Sequence, residues 1–225
     1  MRGPFTISIS DSSGNLIRTF PGSTRKGLNS VELAMRMPAP LTAESEIGGA
    51  FGSAIGPLLA EGVYTVELNK AGLKKSTTVL VVTDTVYKHS AEDRAAQQRL
   101  VAKLYKLNEE LAITVAQVKA GLDSLMPTRW DSPITDSLNK LHKSLVNSKM
   151  GLVTGEEQLR ERLSSLFGEV NSYLGKPTSS QEALASTLEL RVEEATRTAG
   201  EILKHYSFET RTQIEARLRK ARSKK

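Results

Sequence analysis

The stretch Ser76-Thr77-Thr78-Val79-Leu80-Val81-Val82-Thr83-Asp84-Thr85-Val86-Tyr87-Lys88-His89-Ser90-Ala91-Glu92-Asp93 decides the fold. Its first seven residues are β-branched, small or apolar, a strand composition. Its last four read as a helix start, with Ser90 as cap and Asp93 in the place of the usual Glu or Gln of a capping box. Between Val82 and Ser90 the alphabet of the chain changes. Upstream lie Gly, Pro, Thr, Ser and Val in short alternating runs, and downstream lie Ala, Leu, Glu, Lys, Arg and Gln. Two domains are therefore expected, over 1–86 and 90–222, in a chain of 225 residues.

Working back from the junction, Val63–Leu68 and Ser76–Val82 form a hairpin around Asn69-Lys70-Ala71-Gly72. At the other end Phe5, Ile7 and Ile9 alternate with polar residues, the period of a strand with one buried face. Asp11-Ser12-Ser13-Gly14-Asn15 is a turn by its residue types, and Leu16–Phe20 returns as the partner strand until Pro21-Gly22 stops it. Val31, Leu33 and Met35 predict a further strand after Gly27-Leu28-Asn29-Ser30. About five short strands joined by frequent turns predict a small antiparallel sandwich. The stretch 38–60, with Gly48-Gly49, Gly52 and Gly56, predicts a flexible Gly-rich loop. It is not a phosphate-cradling loop, because no Lys-Ser/Thr follows the glycines.

Downstream, Leu100, Leu104, Leu107, Leu111, Val115, Val118, Leu122 and Leu125 make a near-heptad stripe along a helix of about 35 residues, roughly 50 Å long. Pro127 ends it, and Ser132-Pro133 opens a second helix carrying Ile134, Leu138, Leu141 and Leu145. Thr154-Gly155-Glu156-Glu157 caps a third, with Leu159, Leu163, Leu166, Val170 and Leu174, which Gly175-Lys176-Pro177 stops. Ser179-Ser180-Gln181-Glu182 caps a fourth, with Leu184, Leu188, Val192, Ala195, Ala199, Ile202 and Tyr206, continuing towards Leu218. Four amphipathic helices with short links predict an antiparallel up-and-down bundle. Val101, Ile113, Val146 and Phe167 widen the stripes beyond the narrow seam of a two-stranded coiled coil.

The chemistry is mostly exclusion. The chain has no cysteine, which removes disulfides, thiolate metal sites and thiol catalysis. His89, His142 and His205 lie far apart in sequence and form no local metal pair. Glu109-Glu110, Glu156-Glu157 and Glu193-Glu194 are helix neighbours about 100° apart, so each pair diverges and reads as a solvated face. Trp130 reads as a plug between helix ends. No catalytic, cofactor-binding or metal-ligating residue is assigned, and no enzyme is expected. The net charge of +6 sits at one end: Lys204, Arg211, Arg217, Arg219, Lys220, Arg222, Lys224 and Lys225 oppose Glu209 and Glu215. A basic C-terminal tail that frays beyond Leu218 is expected. With no aromatic residue after Phe208 to stack a base, nucleic acid and membrane are not expected as partners.

The motifs of the first domain carry a resemblance. In order they are Asp11-x-x-Gly14-x-Leu16-Ile17-Arg18-Thr19-Phe20, Gly27-Leu28-Asn29-x-Val31, Arg36-x-Pro38 and Gly62-Val63-Tyr64-Thr65-Val66. They resemble the Ig-like domain of the flagellar hook-capping protein. They are still more similar to the version at the C-terminal end of exported bacterial sortilin-like, glycosyl-hydrolase-like BNR-repeat propeller proteins, where a helical segment also follows. Where that family usually has Trp-Asp, this chain has Leu33-Ala34. Tyr64 is expected to bury its ring and bond a backbone group through its hydroxyl, as a tyrosine corner does. The resemblance implies an α+β chain in which an Ig-like β-sandwich precedes the helical bundle. It also implies a non-catalytic, cofactor-free accessory or scaffold module of an exported protein, outside the cell or in its envelope. The partner would be another protein or the rest of a longer parent chain. The missing signal-peptide core fits an excised piece. The alternative is a self-assembling coiled-coil structural protein.

Overall fold

A computed structural model of the chain describes residues 5–23, 25, 27–44, 55–84, 86, 88–125, 133–146, 158–204 and 209–222. The architecture is α+β: among the described residues, one four-stranded antiparallel sheet and five helices. Two compact units divide it, Met1–Ala39 with Gly56–Lys88, and Pro40–Ile55 with His89–Lys225.

In the first unit, β1 (Thr6–Ser10), β2 (Leu16–Pro21), β3 (Gly62–Lys70) and β4 (Leu73–Val81) are ordered β2-β1-β3-β4. The β1–β2 turn is built by Asp11. Its carboxylate accepts from the backbone N–H of Ser13 at 2.9 Å and of Asn15 at 2.8 Å, and Gly14 takes the positive φ of +82° that the turn requires. The β3–β4 turn places both central residues at positive φ, Ala71 at 51° and Gly72 at 86°. This is the primed geometry that matches strand twist, and Ala71 holds it against its own Cβ.

One sheet face is apolar. Ile9, Tyr64 and Leu59 are buried there, and Ile17, Phe20, Leu33, Val66 and Val81 pack on them. The strand expected over Val31–Met35 does not form. The segment lies as an irregular layer with a single bridge, Arg36 to Leu58, fastened by Met37 N–H to the Pro57 carbonyl at 2.8 Å and Leu59 N–H to the Met35 carbonyl at 3.0 Å. The reason is proline on one side and prior pairing on the other. Pro38, Pro40 and Pro57 stop the ladder on the 37–40 side of the bridge, and on the 31–35 side the opposing residues run from Leu59 into β3, which is already paired with β1 and β4. Among the described residues there is one sheet, not the pair of sheets that a sandwich requires. Tyr64 does bury its ring, and its hydroxyl donates to the Ala60 carbonyl at 2.8 Å.

In the second unit the long helix forms as its stripe predicts. α1 spans Ala91–Leu125; Ser90 Oγ accepts from Asp93 N–H at 3.1 Å, and all eight stripe residues are buried. Leu111, Ala112, Ile113, Thr114 and Val115 are buried in succession. A helix buried at five consecutive positions is enclosed on every side, so α1 is the axis of the unit. α2 (Pro133–Leu145) packs Leu138 against Val118, Leu122 and Leu125, in the C-terminal part of α1. α3 (Leu159–Ser172) packs in the cluster that contains Leu100 to Leu111. These two helices thus cover successive lengths of α1. α4 (Ser179–Leu203) rises alongside α1, pairing Glu189 with Lys103 and Thr196 with Thr114.

The expected up-and-down order fails. α3 runs antiparallel to α1 along the length next to that covered by α2, so α4 runs parallel to α1, its contacts advancing from Lys103–Glu189 to Thr114–Thr196. The four expected helices are also five, because the last one is broken. Thr210 accepts from Gln213 N–H at 3.3 Å while the Gln213 side chain accepts from Thr210 N–H at 2.8 Å, a capping box that starts α5 (Arg211–Arg222). The cap of α4 is Thr178 with Gln181, one residue earlier than the sequence suggests. On α4 the expected stripe is buried at Leu188, Val192, Ala195 and Ala199, but its first position is displaced, Ala185 being buried and Leu184 40% exposed. The Gly-rich loop is corrected at its described ends. Leu41 and Ala43 are buried in the helical core, and the Ala43 carbonyl accepts from Arg160 Nε at 2.9 Å. Asn171 Nδ2 donates to the Ile55 carbonyl at 2.9 Å. The glycines at 48, 49 and 52 lie outside the described residues, as do Trp130, His205, Tyr206, Glu156-Glu157 and the box at Thr154.

Candidate interaction surfaces

The two edges of the sheet differ. β2 is short, ends in Pro21 and pairs with β1 across a bulge at Ile9/Ser10, features that blunt an edge. β4 is nine residues long, pairs with β3 in unbroken register from Gly62–Val81 to Lys70–Leu73, and contains no proline. No described strand lies on its outer side, and Leu73 to Thr78 are all exposed. Strand alternation puts Val63 and its cross-strand partner Leu80 on the face opposite Tyr64, at 49% and 66% exposure, with Val82 next to them at 69%. Lys74 and Lys75 lie at the other end of β4, beside the turn, Lys74 being paired with Glu67 at 3.1 Å. A long regular edge beside an exposed apolar row is a template for adding a strand.

A second surface is a groove of about 470 Å³ between α1 and α4, floored by Leu107 and Val192. Its rim alternates in sign, Lys106 and Arg197 against Glu110 and Glu193. Arg197 pairs with Glu201 at 3.3 Å and Thr196 shares a hydrogen bond with Thr114 at 2.9 Å, so its polar groups serve the fold.

The third feature replaces the expected frayed tail. Glu109, 13% exposed at its side chain, accepts from Arg222 Nη1 at 2.8 Å and Arg219 Nη2 at 3.0 Å, while Glu110 accepts from Arg211. Arg217 pairs with Glu209 at 3.0 Å. The adjacent carboxylates diverge, as helix geometry demands, but both meet α5, Glu109 largely buried and Glu110 still open to solvent on one side. Arg222 also donates to the Tyr105 hydroxyl at 3.2 Å, whose pKa is raised by burial and by the Glu109 charge. Burial pulls the Arg219 guanidinium down, but hydrogen bonds and charges from Glu215 and Glu109 outweigh it and leave its pKa raised. Much of the basic end is therefore neutralised inside the helical unit. The signal was present in sequence, as Thr210-x-x-Gln213 before Ile214 and Leu218, but the continuous run of charge hides it.

His142 lies half-buried on α2, and His89 meets the Tyr173 ring edge-on at 5.2 Å. Among the described residues no three His, Asp or Glu side chains group as a metal site would, and no helix is long and apolar enough to cross a membrane. No family model, curated protein or solved structure matches the chain.

Proposed function

We propose that the chain is a non-catalytic interaction module that takes an extended segment of another polypeptide onto the outer edge of β4. The observation that carries this is the contrast between the blunted β2 edge and the long β4 edge, on whose outer side no described strand lies, with Val63, Leu80 and Val82 exposed beside it. Backbone hydrogen bonds along β4 supply affinity, and the apolar row selects the side chains of the incoming strand. The motifs of the first 85 residues support placing this unit with the Ig-like domains that follow bacterial propeller proteins. The Asp11–Gly14 turn, read from its residue types, and the Tyr64 hydroxyl bond are compatible with that reading. On this reading the chain works outside the cell or in its envelope, and its partner is the parent protein or a neighbour. Burial of Val101, Ile113, Val146 and Phe167 supports a closed intramolecular bundle over a self-assembling coiled coil.

A photoreactive residue at Thr78, introduced into the chain in its native host, tests the proposal. Cross-links should map to one extended segment and should be lost in Leu80→Lys, which puts a charge on the exposed edge without touching the core. Cross-links that persist in Leu80→Lys, or that scatter over unrelated segments, would refute it.

A further inference from the structure

We infer that Glu109 is a shared acceptor that couples the seating of residues 40–44 to the docking of α5, making the C-terminal helix a salt-sensitive clasp on the helical unit. Glu109 Oε1, which holds Arg222, also accepts from the backbone N–H of Leu41 at 3.4 Å. One carboxylate thus joins α1, α5 and the segment that threads in from the loop. An apolar contact runs in parallel, since Leu218 of α5 packs on the cluster that contains Leu41 and Ala43. Among the helices and strands, α5 contacts α1 alone. Its attachments include Ile214, buried at 0% exposure, Leu218, the arginines on Glu109 and Glu110, and Arg222 on the Tyr105 hydroxyl.

The consequence follows from desolvation. While α5 is docked, Glu109 has two guanidinium partners and little water. When α5 leaves, that carboxylate recruits water, and the water enters beside Leu41 N–H and into the space left by Leu218. Both a polar and an apolar support of residues 40–44 weaken together. Arg160 on the Ala43 carbonyl and Lys119 on Glu44 at 3.3 Å remain, so the segment loosens without leaving. Release of α5 would also part Arg211 and Arg222 from their α1 carboxylates, while Arg219 would keep Glu215 of its own helix.

Hydrogen exchange on the full chain tests this. In Arg219→Gln/Arg222→Gln, which leaves Leu41 and Glu109 intact, exchange should rise about tenfold both at 211–218 and at 41–44, the scale of lost charge-assisted hydrogen bonds. Residues 104–118 should keep their protection. In the natural chain, raising NaCl from about 0.05 M to about 1 M, where screening shortens to about 3 Å, should loosen both segments in parallel. The salt series decides alone if the double variant does not fold. Opening of 211–218 with 41–44 unchanged would overturn the coupling. An α5 indifferent to both salt and substitution would overturn the clasp.

Discussion

Replacing Leu111 by alanine tests whether the enclosed axis of the helical unit exists in the isolated chain. Leu111 is 1% exposed and sits inside the run of five buried residues on α1. The substitution removes three carbons from a dry site, about 2.4 kcal/mol at about 0.8 kcal/mol per methylene. Enclosure on all sides limits collapse. A residual space on the order of 70 Å³, at about 24 cal/mol per Å³, adds roughly 1.7 kcal/mol. The expected loss is about 4 kcal/mol. With a urea slope of about 2 kcal/mol per molar, the midpoint of helix loss by far-ultraviolet circular dichroism should fall by about 2 M. Leu190→Ala, at a position 66% exposed on α4, is the matched control and should shift the midpoint little. A loss below about 0.5 kcal/mol at Leu111 is a surface-type effect. It would mean that this face is open in the single chain, and the coiled-coil alternative would return.

Three further outcomes follow from local geometry. Ala71→Asn should stabilise the sheet unit by about 0.5–1 kcal/mol, because Asn tolerates the positive φ that Ala71 adopts, and thermal unfolding would register it. Thr210→Ala removes the cap of α5 and should cost about 1 kcal/mol, seen as faster amide exchange over Arg211–Arg222 with α4 unaffected. Asp11 carries the pH prediction. Hydrogen bonds from the Asn15 side chain and backbone, with those from Ser13 and Gly14, hold its pKa below the ordinary aspartate value. The folded chain then binds fewer protons than the unfolded one, so the turn's contribution is complete above the unfolded pKa of about 3.9 and is lost as pH falls through the lower folded value. Carboxyl titration by NMR should place Asp11 below the ordinary aspartate value of about 3.9.

Periodicity was legible wherever one face had to be buried. Leu100 to Leu125 announces α1, and Phe5 to Phe20 announces the first hairpin, because each pattern satisfies packing and hydrogen bonding together. The misplaced elements are those where the two requirements separate. Val31, Leu33 and Met35 alternate as a strand does, and Leu33 reaches the core, but the chain opposite them runs into β3, which already pairs with β1 and β4, while prolines at 38, 40 and 57 stop the ladder on the other side of the Arg36–Leu58 bridge. Leu41 and Ala43 also alternate beside glycines, and their burial among helices depends on distant acceptors and donors such as Glu109 and Arg160. Glu109-Glu110 looks like a solvated pair until α5 folds back, which the Thr210–Gln213 box makes possible. The β4 edge was legible as a strand but not as an edge, since strand order is a property of the sheet rather than of any one segment.

Amide exchange along Leu73–Val81 in the full chain tests the openness of β4 most directly. An open edge strand alternates, with the N–H groups aimed at β3 protected and those between them exchanging close to the solvent rate. The account predicts that alternation through the whole strand. Uniform protection from Leu73 to Val81 would show the edge already covered, and would contradict strand addition at this site.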